Sequence, residues 1–203
     1  MTENLIRVRN LSVTRNGYTV FSDISFDLLK SQAINIFGSN GSGKTTLLKA
    51  IIGLTEPSDG DVENFNAENT FEKFVFIGHK SGLKNDLTVK ENLCFFQNLY
   101  DVQNYEMIDN ALENYKMSNY VNTPIKQLSH GQRKRISLIK TLITKSLVWI
   151  IDEPYSSLDE DGINIFNELA QNHLNKNGGL ILTNHKPLKK IFTNNLNIGL
   201  GSQ

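Results

Sequence analysis

The sequence predicts an α/β fold carrying a helical insert, on three observations. Short apolar runs, AINIF (33–37), LVWII (147–151) and GLILT (179–183), alternate with stretches of helical period, the pattern of an α/β core. The first 30 residues look like strands on both sides of a turn near Asn16-Gly17. From about 86 to 145, strand-like runs give way to helical patterns. At 203 residues the chain is long enough for one compact domain with a sizeable core. The expected organisation is a single domain over 1–203, with a core of 1–85 and 146–203 and an insert of about 86–145.

Each element has its own signal. LIRVRNLSV and YTVFSDISFDL are the two strands around the Asn16-Gly17 turn. AINIF is a short buried strand that runs into a Gly-rich loop. A helix follows from about Lys44 to Ile52 and is stopped by Gly53. EPSDGDV turns into another strand, and KFVFI (73–77) is rich in β-formers. TVKE (88–91) is a capping box and opens a helix reaching about Tyr100. A second helix is expected over 105–117 and a loop over 125–129. QRKRISLIKTLITK (132–145) reads as helical, with Ile136, Ile139 and Ile143 on one face. LVWII is a buried strand, 160–175 a helix, GLILT a strand, and 196–200 a last short strand.

Composition excludes several classes. The 21 basic and 21 acidic residues cancel, which argues against a nucleic-acid binder. The single cysteine, Cys94, allows no internal disulfide and no cysteine metal cluster, and points to a reducing compartment. The first ten residues, MTENLIRVRN, lack the apolar segment of a signal peptide. The longest apolar run, Leu147–Ile151, is far short of the roughly 20 residues that a membrane span needs.

Chemistry concentrates in three places. GSNGSGKTT (38–46) follows a strand and opens a helix, the context of a phosphate-binding loop. Gly38, Gly41 and Gly43 let backbone N–H groups converge on phosphate oxygens, with Ser39, Asn40, Ser42 and Thr46 completing the loop. Lys44 is expected at the β- and γ-phosphates, and the Thr45 hydroxyl on Mg²⁺. LVWIIDEP (147–154) ends an apolar strand in two carboxylates. Asp152 is the candidate for holding Mg²⁺ through water, and Glu153 the candidate general base. TNH (183–185) puts His185 at the end of another strand, either a loop residue or a contact for a γ-phosphate or the attacking water.

LSHGQRKR (128–135) holds neither a nucleophile with its base nor a set of metal ligands. Lying just before a helix and between the two motifs above, it resembles the signature of ABC-transporter ATPases. The order of phosphate loop, helical insert, signature, acidic strand end, SSLD loop (156–159) and strand-end His is similar to that superfamily along nearly the whole chain. The resemblance implies a P-loop NTPase (RecA-like) core with an antiparallel β subdomain and an inserted α-helical subdomain. It implies ATP and Mg²⁺, and two subunits sandwiching two nucleotides head to tail. Ser129 and Gly131 would then meet the γ-phosphate held on the partner's loop, with His130 beside them. Gln132 would support the helix start, and Asp159 would sit in the SSLD loop.

A closer resemblance lies in GSNGSGKTTLLKAIIGL, FIGHKSGLKNDLTVKENLCFF, GQRKR and GGLILTNHKPL, which look like the ATP-binding family of cytochrome c maturation. That implies an ATPase subunit paired with integral membrane subunits of a heme exporter. It would lie on the cytoplasmic face of a bacterial inner membrane, or on the matrix side in an organelle, and would bind no nucleic acid. Two other readings stand beside it: an exporter ATPase for another cargo, and a soluble ATPase acting as a cofactor-assembly factor. Leu83, Leu87, Phe95 and Phe96 are either an apolar dock for a membrane subunit's helix or the insert's own core. Three residues depart from the family pattern. Lys80 stands where a Gln touches the metal, His130 replaces a small residue, and Arg15 occupies the position of an adenine-stacking aromatic, with Tyr18 as a substitute.

Overall fold

The computed structural model describes residues 3–65, 74–102, 104–188 and 191–201. Strands β1 (Asn4–Arg15) and β2 (Tyr18–Leu29) form an antiparallel hairpin in which Arg15 faces Tyr18. Asn16 and Gly17 both take positive φ, 51° and 80°, as the two-residue turn matching strand twist demands. Strand β4 (Asp59–Asn64) pairs with the other edge of β1, giving the order β2-β1-β4.

The second sheet is wholly parallel. It comprises β3 (Ala33–Phe37), β5 (Phe74–Ile77), β6 (Val148–Ile151), β7 (Gly179–Asn184) and β8 (Asn195–Gly199) in the order β5-β6-β7-β3-β8. Of the KFVFI run, Lys73 lies outside the described residues.

The central strands read as unbroken apolar runs because both faces of this sheet are covered. Side-chain alternation sends Ile34, Ile36, Val148, Ile150 and Ile181 into one core, with Leu5, Val8 and Phe26 from the antiparallel sheet and Leu48 from helix α1 (Lys44–Ile51). Ile77, Trp149, Ile151, Leu180 and Leu182 face a second core, built with Leu93, Leu112, Ile136 and Phe166. These come from helices α2 (Val89–Leu99), α3 (Tyr105–Asn114), α4 (His130–Ile139) and α5 (Glu160–Asn175). The fold is thus an α/β P-loop arrangement with an antiparallel sheet on one side and helices on the other.

Local chemistry sets the helix ends. The Thr88–Glu91 capping box is formed in full and starts α2. Helix α3 stops at Asn114, short of the expected 117. There Met117 N–H bonds to Leu112 C=O and Lys116 N–H to Glu113 C=O around a left-handed Lys116, a Schellman end. Helix α4 starts two residues earlier than its helical pattern and ends at Ile139, not at 145. The β-branched run Thr141, Ile143, Thr144 disfavours a further turn, and the Thr141 hydroxyl donates to Leu138 C=O at 2.8 Å. Ile143 is nonetheless fully buried with Ile136 and Ile139. The expected loop at 125–129 contains a short 3₁₀ turn, Ile125–Gln127. Among the described residues, no helix is long and apolar enough to cross a membrane.

Candidate functional site

The three chemical motifs converge at the carboxyl ends of the parallel strands, where open α/β sheets leave a crevice. Beyond β3, residues 38–43 wrap around the N-terminus of α1. Gly43 stands at φ 94°, and a Cβ there would meet the Val20 side chain at 2.8 Å, so only glycine brings the loop this close to β2. Lys44 is buried, and its ammonium donates to the carbonyls of Gly38 and Ser39 at 2.8 and 2.9 Å. Ser39, Asn40 and Gly41 are exposed, whereas Ser42, Thr45 and Thr46 are half-buried.

Asp152 joins the loop to the acidic strand end. Its carboxylate is 1% exposed and accepts the Thr45 hydroxyl at 2.7 Å and the Thr183 hydroxyl at 2.6 Å. Thr183 in turn accepts the backbone N–H of Glu153 at 2.8 Å. Glu153 is in the left-handed region at φ 47°, and its carboxylate lies 3.5 Å from His185 Nε2. Lys44, Thr45, Asp152, Glu153 and His185, read separately from the sequence, therefore share one edge of the sheet. They supply a cation, a hydroxyl, a buried carboxylate, and a second carboxylate beside an imidazole, the parts used in phosphoryl transfer.

A second cluster surrounds the start of α4. Ser129 caps the helix by accepting Gln132 N–H at 3.2 Å, and the Gln132 side chain accepts Ser129 N–H at 2.9 Å. Ser129 and His130 are exposed. Gly131 backs onto the loop after β6, where a Cβ would lie 2.9 Å from Ser157 C=O. Ser129, Gly131, Gln132, Ser157 and Asp159 line a polar hollow of about 420 Å³. Asp159 also caps α5 through Gly162 N–H at 3.0 Å.

The three cations after Gln132 all point back into the chain's own loops. Arg133 donates to the carbonyls of Leu128 and Lys126 at 3.0 and 2.9 Å. Lys134 donates to Asp152 C=O at 3.3 Å, and burial pushes its pKa down to about 8 against the pull of the Asp152 and Glu153 charges. Arg135 binds Asp159 at 2.6 Å and Asp161 at 3.3 Å, and its hydrogen bond holds the Asp159 carboxyl below its usual range. Further along, Lys140 is 5% exposed. Its ammonium lies 2.5 Å from Ser81 C=O and 4.6 Å from the Phe96 ring, and burial pushes its pKa down to about 8.

The sequence motifs by themselves assign no role to Thr183, Lys134, Arg135 or Lys140. Thr183 stood in the quoted TNH, where a strand-end hydroxyl two residues before His185 was the available signal. Lys80 is exposed in the turn after β5. Arg15 reaches Thr55 Oγ1 at 3.4 Å beside Tyr18, which is 80% exposed. Of the four apolar residues left between core and dock, Phe96 and Leu83 pack against the core. Phe95 is exposed under the Lys84 ammonium, 4.5 Å from its ring, and Leu87 is half-buried.

Comparison with known proteins agrees with this geometry. The family model described as ABC transporter matches residues 21–156. The cytochrome c biogenesis ATP-binding export protein CcmA of Aliivibrio fischeri is 33% identical over 190 residues, covering 91% of this chain and 93% of that protein. CcmA of Escherichia coli O157:H7 is 34% identical over 190 residues, with 91% and 90% covered. Among solved structures, a Pyrococcus furiosus protein described as an ABC transporter ATP-binding protein superposes with a TM-score of 0.83. It shares 26% identity and covers 95% of this chain and 96% of that one. The chain therefore belongs to the ATP-hydrolysing subunits of the ABC transporter family, and within them to the cytochrome c biogenesis ATP-binding export proteins.

Proposed function

We propose that the chain is the ATP-hydrolysing motor of a membrane complex that exports or handles heme for c-type cytochrome biogenesis. The observation that carries the hydrolytic part is the chain of contacts Thr45–Asp152–Thr183–Glu153, which ties the phosphate loop to the candidate base. The cargo reading rests on the likeness to the export proteins over 91% of the chain.

In this reading the loop 38–46 cradles the phosphates with its backbone N–H groups, and Lys44 neutralises the β- and γ-oxygens. The Thr45 hydroxyl and Asp152 carboxylate are hard oxygen donors in mutual contact, a set that fits Mg²⁺; bound with ATP, that ion neutralises phosphate charge. Glu153 accepts a proton from the attacking water, and His185, beside it, orients that water. Ser129, His130, Gly131 and Gln132 present their helix start to a nucleotide on a second copy, while Asp159 faces the same hollow. This explains why the LSHGQRKR segment has no reactive group: it completes a partner's site. The pair works against integral membrane subunits, from the cytoplasmic face of a bacterial inner membrane or the matrix side of an organelle's. Lys80 lies next to the segment expected to meet those subunits.

Glu153→Gln tests the core of this reading. An amide cannot take the proton, so phosphate release should fall by two or more orders of magnitude while ATP affinity is kept and an ATP-bound dimer accumulates. Wild-type phosphate release would remove Glu153 from the role of base. Purification from membranes tests the assembly. Recovery of integral subunits with bound heme is the expected result, and recovery of soluble partners alone would favour the assembly-factor reading.

A further inference from the structure

Glu153 is held at φ 47°, a left-handed backbone conformation that an L-residue adopts only at a cost, and something must hold it there. The peptide that joins Asp152 to Glu153 is gripped at both ends. Its N–H donates to Thr183 Oγ1 at 2.8 Å, and its C=O accepts the Lys134 ammonium at 3.3 Å. A crankshaft rotation of this peptide would relieve the left-handed φ, and it would break both bonds. The two grips differ in origin. Thr183 belongs to the neighbouring strand β7 and is fully buried, a fixed part of the sheet. Lys134 reaches over from α4, five residues after Ser129, on the helix that carries the exposed cap to the sheet's edge. Arg133 and Arg135 anchor the same helix to the 126–128 segment and to Asp159.

We infer that Lys134 is a positioning residue for hydrolysis: it grips the Asp152–Glu153 peptide from α4, so that displacement of this helix is passed directly to the orientation of the Glu153 carboxylate. The inference rests on the proposed role of Glu153. In a pair where Ser129 and Gly131 engage the partner's nucleotide, a shift of α4 at one site turns the base of the other. The link is one side chain long. Its hydrogen-bond partner is a backbone carbonyl, so the grip acts on the peptide and takes no hydrogen bond from either carboxylate.

The test compares steady-state phosphate release by the full chain carrying Lys134→Met, Lys134→Arg or Glu153→Gln. Methionine keeps most of the half-buried side chain's length and bulk without a donor. It should lower kcat about ten- to hundredfold, the usual cost of misplacing a catalytic group by about an ångström, with KM and ATP affinity changed less than about twofold. Arginine keeps a donor and should recover a substantial part of that kcat. Wild-type kcat in Lys134→Met overturns the inference. So does an arginine variant no better than methionine, or a parallel loss of kcat and ATP affinity with a collapsed Tm, each of which assigns Lys134 to packing alone. Should the methionine variant not fold, Lys134→Gln, a neutral donor of shorter reach, takes its place: a fall in kcat alone supports the grip, and wild-type kcat refutes it. Wild-type turnover in Glu153→Gln overturns the reading of the base itself. An inactive Glu153→Gln beside a fully active Lys134→Met overturns only the role of Lys134.

Discussion

Lys80 stands where the resemblance leads one to expect a glutamine close to the metal. An ammonium has three donors and no lone pair, so it cannot ligate a cation, whereas a glutamine side chain can. An ammonium and a divalent ion about 4 Å apart at an effective dielectric near 20 repel by about 8 kcal/mol, which would drive the exposed Lys80 side chain away from a bound Mg²⁺ and toward phosphate oxygen or solvent. Lys80→Gln should therefore raise turnover, most clearly at low Mg²⁺, when the two proteins are compared across a Mg²⁺ titration. Lower turnover with glutamine at every Mg²⁺ level would make Lys80 an active participant. Gly131 shows a different limit at the same scale. A side chain there first presses on the chain's own Ser157 carbonyl, so substitutions at 131 report on the loop after β6 before they report on any partner.

Among the elements, α4 does more than present its N-terminus. Through Lys140 its C-terminal end holds Ser81 C=O in the segment after β5, with the ammonium over Phe96. No carboxylate contributes to the Lys140 environment, and burial brings its pKa from 10.5 to about 8. Below pH 8 both folded and unfolded chains carry the proton, and the folded state bears the full cost of the buried charge. Between about 8 and 10.5 the unfolded chain binds a proton that the folded one does not, so stability rises with pH, by up to roughly 3 kcal/mol. Lys140→Met lacks this rise. The urea midpoint of the wild type should gain on that of the variant between pH 8 and pH 10, and parallel curves would show that Lys140 keeps its ordinary pKa. Helix ends elsewhere share one device: α1, α2, α3 and α5 each close through a left-handed residue, Gly53, Asp101, Lys116 and Asn177. Only the first of these is a glycine, the residue type that marks such a stop in a sequence.

For the whole molecule, the question is whether one copy carries a complete site. The loop 38–46 and the helix start at 129–132 sit in separate clusters, and the second opens on an exposed polar hollow. Ser129→Asp is a clean probe of this. Aspartate is as good an N-cap as serine and so spares α4, but it sets a carboxylate where a partner's γ-phosphate would lie. Monomer ATP binding should survive in Ser129→Asp and be lost in Lys44→Ala, while both variants lose hydrolysis. Mixed together, the two variants form pairs in which one site has both defects and the other is intact, so part of the activity should return. Equal loss of ATP binding in both variants, or no recovery on mixing, would refute a site shared between copies.

The sequence by itself determined the α/β class, the turn at Asn16-Gly17, the buried strands and the motif residues Lys44, Thr45, Asp152, Glu153 and His185 of the candidate site. These features are local. A glycine pattern, an apolar run ending in carboxylates and a capping box each carry their physics within a few residues. It also marked Ser129–Gln132 as a helix start, because capping is a contact between residues three apart. What only the tertiary structure decided are contacts whose partners lie far along the chain. Thr183 bonds to Asp152 across 31 positions, and Lys134 reaches Asp152 across 18. In the RKR run, two side chains are anchored on backbone carbonyls and the third on two carboxylates, contacts that burial and reach decide and that, unlike periodicity, are not written in spacing. Phe95 and Phe96 make the same point: adjacent and chemically identical, they part ways because a helix turns about 100° per residue and only one of them faces the core.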